Sequence, residues 1–395
     1  MSALTLGALA VGFVLLVAGG ESLVRGASRL AVTIGMSPLV VGLTVVAFAT
    51  STPELAVSVD AALSGHPGLA VGNVVGSNIA NILLILGLTA LVAPLLAKSR
   101  IVRVDIPIMV GFSIVLLVVA LDGVISALNG MLLLAGLVAY VAATVVISRR
   151  RTADPAEATD DGSTVESAAG STAGAESEVD ADPATDADPQ SHKGAHSVLM
   201  SGAMVALGVL LLVVGARLLV TAASDLAAAW GMSDLVIGLT VVAIGTSLPE
   251  LATSLVAAVR GERDMAVGNI VGSNMFNIGA VLGVTSLITP IEVAPGAIRF
   301  DLPIMVAVAL ALLPIAFTGM AIKRWEGLLF AGFYAAYIAY VVLQASGHDA
   351  LEPFSTAMLW FVIPFTAVWL VVLATYELGV IRGRTLARRQ VVAQE

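Results

Sequence analysis

Hydrophobic positions in this chain come in continuous runs of about twenty residues, repeated from end to end, instead of alternating with polar ones. A run of that length crosses the roughly 30 Å hydrocarbon core of a bilayer as one helix. Helices satisfy their own backbone in lipid. A transmembrane barrel needs alternating strands of about ten residues, so the pattern excludes it. The runs predict spans near 4–24, 38–63, 69–94, 104–121, 125–147, 198–220, 234–259, 265–289, 302–321, 325–344 and 357–379, eleven in all. The first run has no basic segment before it and reads as a retained span, not a cleaved signal.

Basic residues sort onto alternate ends of these spans. Arg25 and Arg29 follow span 1; Lys98, Arg100 and Arg103 follow span 3; Arg149, Arg150 and Arg151 follow span 5. Arg260 and Arg263 follow span 7, Lys323 and Arg324 span 9, and Arg382, Arg384, Arg388 and Arg389 span 11. The loops after spans 2, 4 and 10 hold no Lys or Arg, and Arg217 and Arg299 are the exceptions. The positive-inside rule then places the N-terminus outside and the C-terminus in the cytoplasm of a multi-pass cell-membrane protein.

Comparing the chain with itself divides it. "GMSPLVVGLTVVAFATSTPELAVSV" (35–59) aligns without gaps to "GMSDLVIGLTVVAIGTSLPELATSL" (231–255), with 18 of 25 positions identical. The same offset of 196 aligns 69–87 with 265–283, 12 of 19 identical, and pairs "RVDIPIM" with "RFDLPIM". Five spans per copy is odd, so the second copy enters the membrane from the opposite face. The expected fold is all-α and membrane-integral, with two inverted five-helix repeats and one additional C-terminal transmembrane helix. The halves are 1–148 and 197–345, joined by a linker, 149–196; the extra helix and a basic tail occupy 346–395.

Composition agrees and localises the charge. The chain is 58% hydrophobic and 12% charged, with mean hydropathy +1.00. Its net charge of −9 belongs to the linker: residues 152–196 carry eleven acids and one lysine, and the rest is near neutral, with 17 acids and 18 bases. Such a segment has too few bulky apolar residues to bury a core and is expected to be a disordered cytoplasmic tether. There are no cysteines, which excludes disulfides, thiolate metal sites and cysteine nucleophiles.

The chemistry sits inside the spans. Pro53 and Pro249 donate no backbone hydrogen bond and clash one turn back, freeing carbonyls around Ala49 and Thr50 and around Gly245 and Thr246. Glu54 and Glu250 follow directly; an intramembrane acid marks a functional site. Ala47, Thr50 and Glu54 fall on one helix face, as do Ala243, Thr246 and Glu250. In the next span of each repeat Asn73, Ser77 and Asn81, and Asn269, Ser273 and Asn277, recur at i, i+4, i+8. Ser51 and Ser247 are divided evenly between site and helix-internal bonding. Asn73, Asn78, Asn269 and Asn274 read as interhelical packing, and the pairs Gly72/Gly76 and Gly268/Gly272 as close-contact motifs. Glu21 with Arg25 reads as a surface ion pair. Asp105 and Asp301, each two residues before a proline, read as helix starts. Oxygen-only ligands favour a hard cation such as calcium or sodium.

At these motifs the chain resembles the sodium/calcium exchangers of the cation/calcium antiporter superfamily: "GLTVVAFATSTPEL" with "GNVVGSNIAN", and "GLTVVAIGTSLPEL" with "GNIVGSNMFN", look like that family's two alpha-repeats. The resemblance implies an antiporter, not an enzyme, with no cofactor, no nucleic-acid partner and Na⁺ and Ca²⁺ as transported ions; the monomer is the expected functional unit, and the sequence leaves the oligomeric state open. It implies a calcium site of Glu54, Glu250 and the Thr50 and Thr246 carbonyls. One sodium site would use the Ala47 carbonyl, Thr50, Glu54 and Ser77; its mirror would use the Ala243 carbonyl, Thr246, Glu250 and Ser273. Asn81 and Asn277 would take the middle position. Some relatives carry Asp where Asn277 stands, and related proton exchangers carry an extra acid in spans 3 and 8; both departures argue against potassium or proton coupling. A cation channel and a membrane metalloenzyme are the rival classes. The inverted repeats disfavour the first, and the lack of His ligands or a base–nucleophile pair the second.

Overall fold

The computed structural model describes residues 3–66, 68–96, 98–153, 190–229, 243–317, 320–372, 375–376 and 379. Among the described residues ten helices are long and apolar enough to cross a membrane: Thr5–Ile34, Pro38–Leu63, Gly68–Val92, Ile101–Val119, Ala127–Arg150, Ser197–Ala229, Arg263–Ile288, Ala297–Phe317, Arg324–Ser346 and Leu351–Val372. They are spans 1 to 6 and 8 to 11. Span 7 is described from Ala243 onward, as Ala243–Thr246 and Leu248–Val259; its expected first part, 234–242, lies outside the described residues, as does most of the acidic segment, 154–189.

Two pairs of two-residue strands tie the span ends together. β1 (Leu95–Leu96) follows span 3, β2 (Val124–Ile125) span 4, β3 (Ile291–Glu292) span 8 and β4 (Ala321–Ile322) span 9. β1 pairs antiparallel with β4, and β2 with β3. Each pairing requires its two span ends to lie on one side of the membrane. Six crossings separate the ends of spans 3 and 9, and four those of spans 4 and 8. Both are even, so the pairings hold only if span 7 crosses. The side chains agree: Lys98 meets Asp264 at 2.6 Å, and the Arg324 guanidinium donates to the Val92 carbonyl at 3.3 Å.

The same exchange of partners appears in the packing. A Cβ on Gly327 would lie 2.5 Å from the Gly87 carbonyl oxygen, and one on Gly283 would lie 3.1 Å from that of Gly130. Span 3 therefore packs on span 10 as span 8 packs on span 5, the relation expected of two repeats about a pseudo-two-fold axis. Burial peaks on that axis. In the apolar windows of spans 3 and 8, 78% and 83% of residues are buried; in span 11 none is.

Spans 1 and 6 exceed their predicted lengths. The sequence predicts ends near residues 24 and 220; the helices run Ala3–Ile34 and Gln190–Ala229. Hydropathy stops at Glu21, Arg25 and Arg29, but the helix does not, because Glu21 and Arg25 are matched. Glu21 pairs with Arg25 at 2.5 Å, as expected, and also with Arg260 at the end of span 7. The two helices lie antiparallel on small residues spaced by seven. Cβ atoms on Gly12, Gly19 and Gly26 would approach the carbonyl oxygens of Gly215, Gly208 and Ser201 to 3.0, 2.9 and 2.9 Å. In lipid, such small-residue seams let backbones meet.

Asp105 and Asp301 are not helix starts. Spans 4 and 9 begin several residues earlier, with π-helical turns Ile101–Asp105 and Ala297–Asp301, and Asp105 makes no side-chain cap bond. Instead the Tyr140 hydroxyl donates to Asp105 Oδ1 at 2.8 Å and the Tyr337 hydroxyl to Asp301 Oδ1 at 3.1 Å. Each aspartate fastens its span to the next. Burying it without that donor would leave an uncompensated polar group.

Candidate cation site

Spans 2 and 7 break at equivalent serines. Ser51 (φ −80°, ψ 0°) separates the helical turn Ala47–Thr50 from Thr52–Leu63, and Ser247 (φ −91°, ψ 6°) separates Ala243–Thr246 from Leu248–Val259. Around the first break the backbone bonds run from Ser51 N–H to Ala47 O and from Leu55 N–H to Ser51 O. Pro53 has no N–H for the Ala49 carbonyl. Each second half-helix therefore starts with Pro in its first turn and carries its glutamate there as well. An acid in a helix's first turn is favoured by the helix dipole.

Spans 3 and 8 supply the opposite wall. Both turn π-helical at the predicted asparagines, over Asn81–Leu86 and Asn277–Leu282. A π-turn widens the helix locally and is frequent at functional sites. The Gly268/Gly272 motif brings span 8 against span 2: a Cβ on Gly268 would meet the Leu39 carbonyl oxygen at 2.9 Å, and one on Gly272 the Ala47 Cβ at 2.7 Å. The partner expected for Gly72 and Gly76, the start of span 7, lies outside the described residues.

Glu54 and Glu250, one from each repeat, are both fully buried. None of their four carboxylate oxygens meets a donor in hydrogen-bond geometry. An unpaired buried charge costs several kcal/mol, on the order of the desolvation penalty per ion. Two such carboxylates together must take up positive charge. Among the described residues no group of three or more acids, histidines or cysteines could hold a metal, so neutral oxygens must complete any shell.

Neutral oxygens without partners lie on the same four spans. Ser51, Ser77 and Ser247 present buried hydroxyls without partners; Asn81 has neither side-chain atom bonded, and Asn277 leaves Oδ1 free. Ala47 is fully buried. Thr246 is half-buried at the turn before Ser247, and Ala243 opens the described part of span 7. Thr50 departs from its expected grouping. Its hydroxyl lies 3.2 Å from Ser273 Oγ and donates to Asn269 Oδ1 at 3.2 Å and to the Ala47 carbonyl at 3.4 Å. It also sits beside Glu250. The Thr50 side chain thus joins Ser273 of the other repeat, not Ser77 of its own. Helix-face spacing within one repeat cannot show this, because the contact crosses the pseudo-two-fold.

Two sets of polar residues tie the site to its frame. Asn73 Nδ2 donates to Ser58 Oγ at 3.0 Å and to the Glu54 carbonyl at 3.2 Å; Asn269 Nδ2 donates to Ser254 Oγ at 3.0 Å. Asn277 Nδ2 donates to Asn78 Oδ1 at 3.1 Å, and Asn78 Nδ2 to the Asn274 carbonyl at 3.3 Å. These asparagines pack helices, as their sequence suggests, but Asn269 and Asn78 do so by holding Thr50 and Asn277. Ser58 and Ser254 escape the sequence reasoning, although they are identical at equivalent repeat positions.

Residues 4–146 and 200–343 match the family described as sodium/calcium exchanger protein. The sodium/calcium exchanger MaX1 of Methanosarcina acetivorans is 35% identical over 84% of this chain and 96% of its own length. Inner membrane protein YrbG of Escherichia coli is 37% identical over 76% of this chain and 85% of its own. The solved structure of the sodium-calcium exchanger NCX_Mj soaked with zero Na⁺ and Ca²⁺ superposes with a TM-score of 0.68 at 32% identity, covering 86% of this chain and all of that one. The family match ends at residue 343, before span 11 begins.

Proposed function

Since the chain belongs to the sodium/calcium exchanger family, a family of antiporters, we propose that it exchanges Na⁺ for Ca²⁺ across the cell membrane by alternating access. The observation that carries this reading is the pair of buried, donor-free carboxylates, Glu54 and Glu250, one from each repeat. One Ca²⁺ neutralises both. It prefers 6–8 oxygens at roughly 2.3–2.6 Å, and two carboxylates with the Thr50 and Thr246 carbonyls provide six.

Sodium competes for the same acids. The contacts of Thr50 support flanking positions built across the repeats: the Ala47 carbonyl, Thr50, Ser273 and Glu250 on one side, and the Ala243 carbonyl, Thr246, Ser77 and Glu54 on the other. Asn81 and Asn277 border the middle, and Ser51 and Ser247 lie at the breaks. Calcium and sodium together would place excess positive charge in a buried cavity, so occupancy by one excludes the other. Exchange of more than two Na⁺ for each Ca²⁺ moves net charge, which makes the exchange electrogenic and lets an inward sodium gradient drive calcium out. The distribution of basic residues supports an outside N-terminus.

Proteoliposomes loaded with sodium test the reading. Calcium uptake is expected to require the outward sodium gradient, to generate current, and to ignore imposed potassium and proton gradients. Uptake that is independent of sodium, or driven by the proton gradient, contradicts it.

A further inference from the structure

Span 11 lies beyond the family match, and its described part leans on spans 9 and 10 without closing on them. Between the three helices runs a cavity of about 430 Å³. It follows span 9 from Phe300 to Ile315, about 22 Å at the helical rise of 1.5 Å per residue. A volume of that size drawn out over that length is a slot, the shape of a chain and not of a compact solute.

The walls are apolar, and their hydroxyls are largely spent. Ser355 bonds the Leu351 carbonyl at 2.6 Å, Thr366 the Val362 carbonyl at 2.7 Å, and Tyr337 the Asp301 carboxylate at 3.1 Å. These groups offer an occupant no free donor. Aromatic contacts frame the slot. Phe300 stacks on Tyr340 with centroids 4.1 Å apart at one end, and Trp325 meets Trp369 edge-on at 5.0 Å between spans 10 and 11.

Charge stands at the Phe300 end. Arg299, the residue before Phe300, is exposed and has no ion-pair partner among the described residues. It is also one of the two bases that break the positive-inside pattern. The first repeat has Arg103 there, on the side where bases are ordinary, but Val104 in place of Phe300.

We infer that spans 9, 10 and 11 form a binding site for a single membrane phospholipid, one acyl chain in the slot and an anionic headgroup on Arg299. The bilayer supplies the occupant, the spent hydroxyls select hydrocarbon, and the lone guanidinium selects negative charge.

Native mass spectrometry of the full chain, titrated with phosphatidylglycerol and with phosphatidylcholine of the same acyl chains, tests this. The wild type is expected to hold one lipid and to prefer phosphatidylglycerol several-fold. Ala311→Phe fills the slot from span 9 and Ala367→Phe from span 11, outside the ten-helix core; each should weaken binding at least tenfold. Arg299→Gln should keep the lipid and lose the headgroup preference. Val118→Phe, on the exposed face of span 4, should change nothing. Wild-type protein that holds no lipid or does not distinguish the headgroups, or lipid retention undiminished in Ala367→Phe, overturns the proposal.

Discussion

Gly208→Ala probes the contact between the two longest helices. A methyl there would lie 2.6 Å from the Leu23 amide nitrogen and 2.8 Å from the Gly19 carbonyl oxygen. Ordinary contact begins near 3.4 Å, so spans 1 and 6 must part by about 0.8 Å, and overpacking of this kind costs about 1–3 kcal/mol. Alanine also raises helix propensity by about 1 kcal/mol over glycine. Gly202→Ala, on the same helix but with open space around its Cβ, carries that gain without the clash. The difference between the two variants isolates the clash and should equal about 1–3 kcal/mol in favour of Gly202→Ala. Thermal unfolding in detergent, followed as the fraction still eluting as native protein after heating, reads the order. If Gly208→Ala survives heating as well as Gly202→Ala, the close glycine seam is wrong.

Three further outcomes follow from the same geometry. Tyr140→Phe leaves the buried Asp105 without its hydroxyl donor and should destabilise the fold by about 1–3 kcal/mol, read as a lower apparent melting temperature. Ser254→Ala removes the acceptor that orients Asn269 and, through it, Thr50; at about 1 kcal/mol per hydrogen bond, calcium affinity should weaken about fivefold, and the apparent melting temperature should fall as the buried Asn269 amide loses its acceptor. Arg260→Gln breaks a half-exposed pair with Glu21 and should cost less than about 1 kcal/mol, an effect that fades in high salt.

The architecture was legible because duplication writes the same signal twice. An offset of 196 survives in the broken helices and in the π-turns at Asn81 and Asn277; the aspartate–tyrosine clasps keep it at Asp105 and Asp301 and slip by one residue at Tyr140 and Tyr337. What stayed hidden involves pairing between repeats. Periodicity reports only which residues of one helix share a face, and it was the family resemblance that grouped Thr50 with Ser77, whereas the Thr50 hydroxyl reaches Ser273. The end of span 1 was hidden for a different reason. Hydropathy treats Glu21 and Arg25 as a stop, but charges matched by Arg260 let the helix run on. Ser58 and Ser254 were visible as identities in the alignment; what the sequence could not convey is that they accept from the asparagines of the neighbouring span.

The central claim is that Glu54 and Glu250 act as one cation-binding device. Equilibrium binding of radioactive calcium to the purified protein tests it most directly. The expected result is one Ca²⁺ per chain, displaced by sodium, and lost in Glu54→Gln and in Glu250→Gln alike while both variants remain folded. Two independent calcium sites, or a single-glutamate variant that binds as the wild type does, would contradict it.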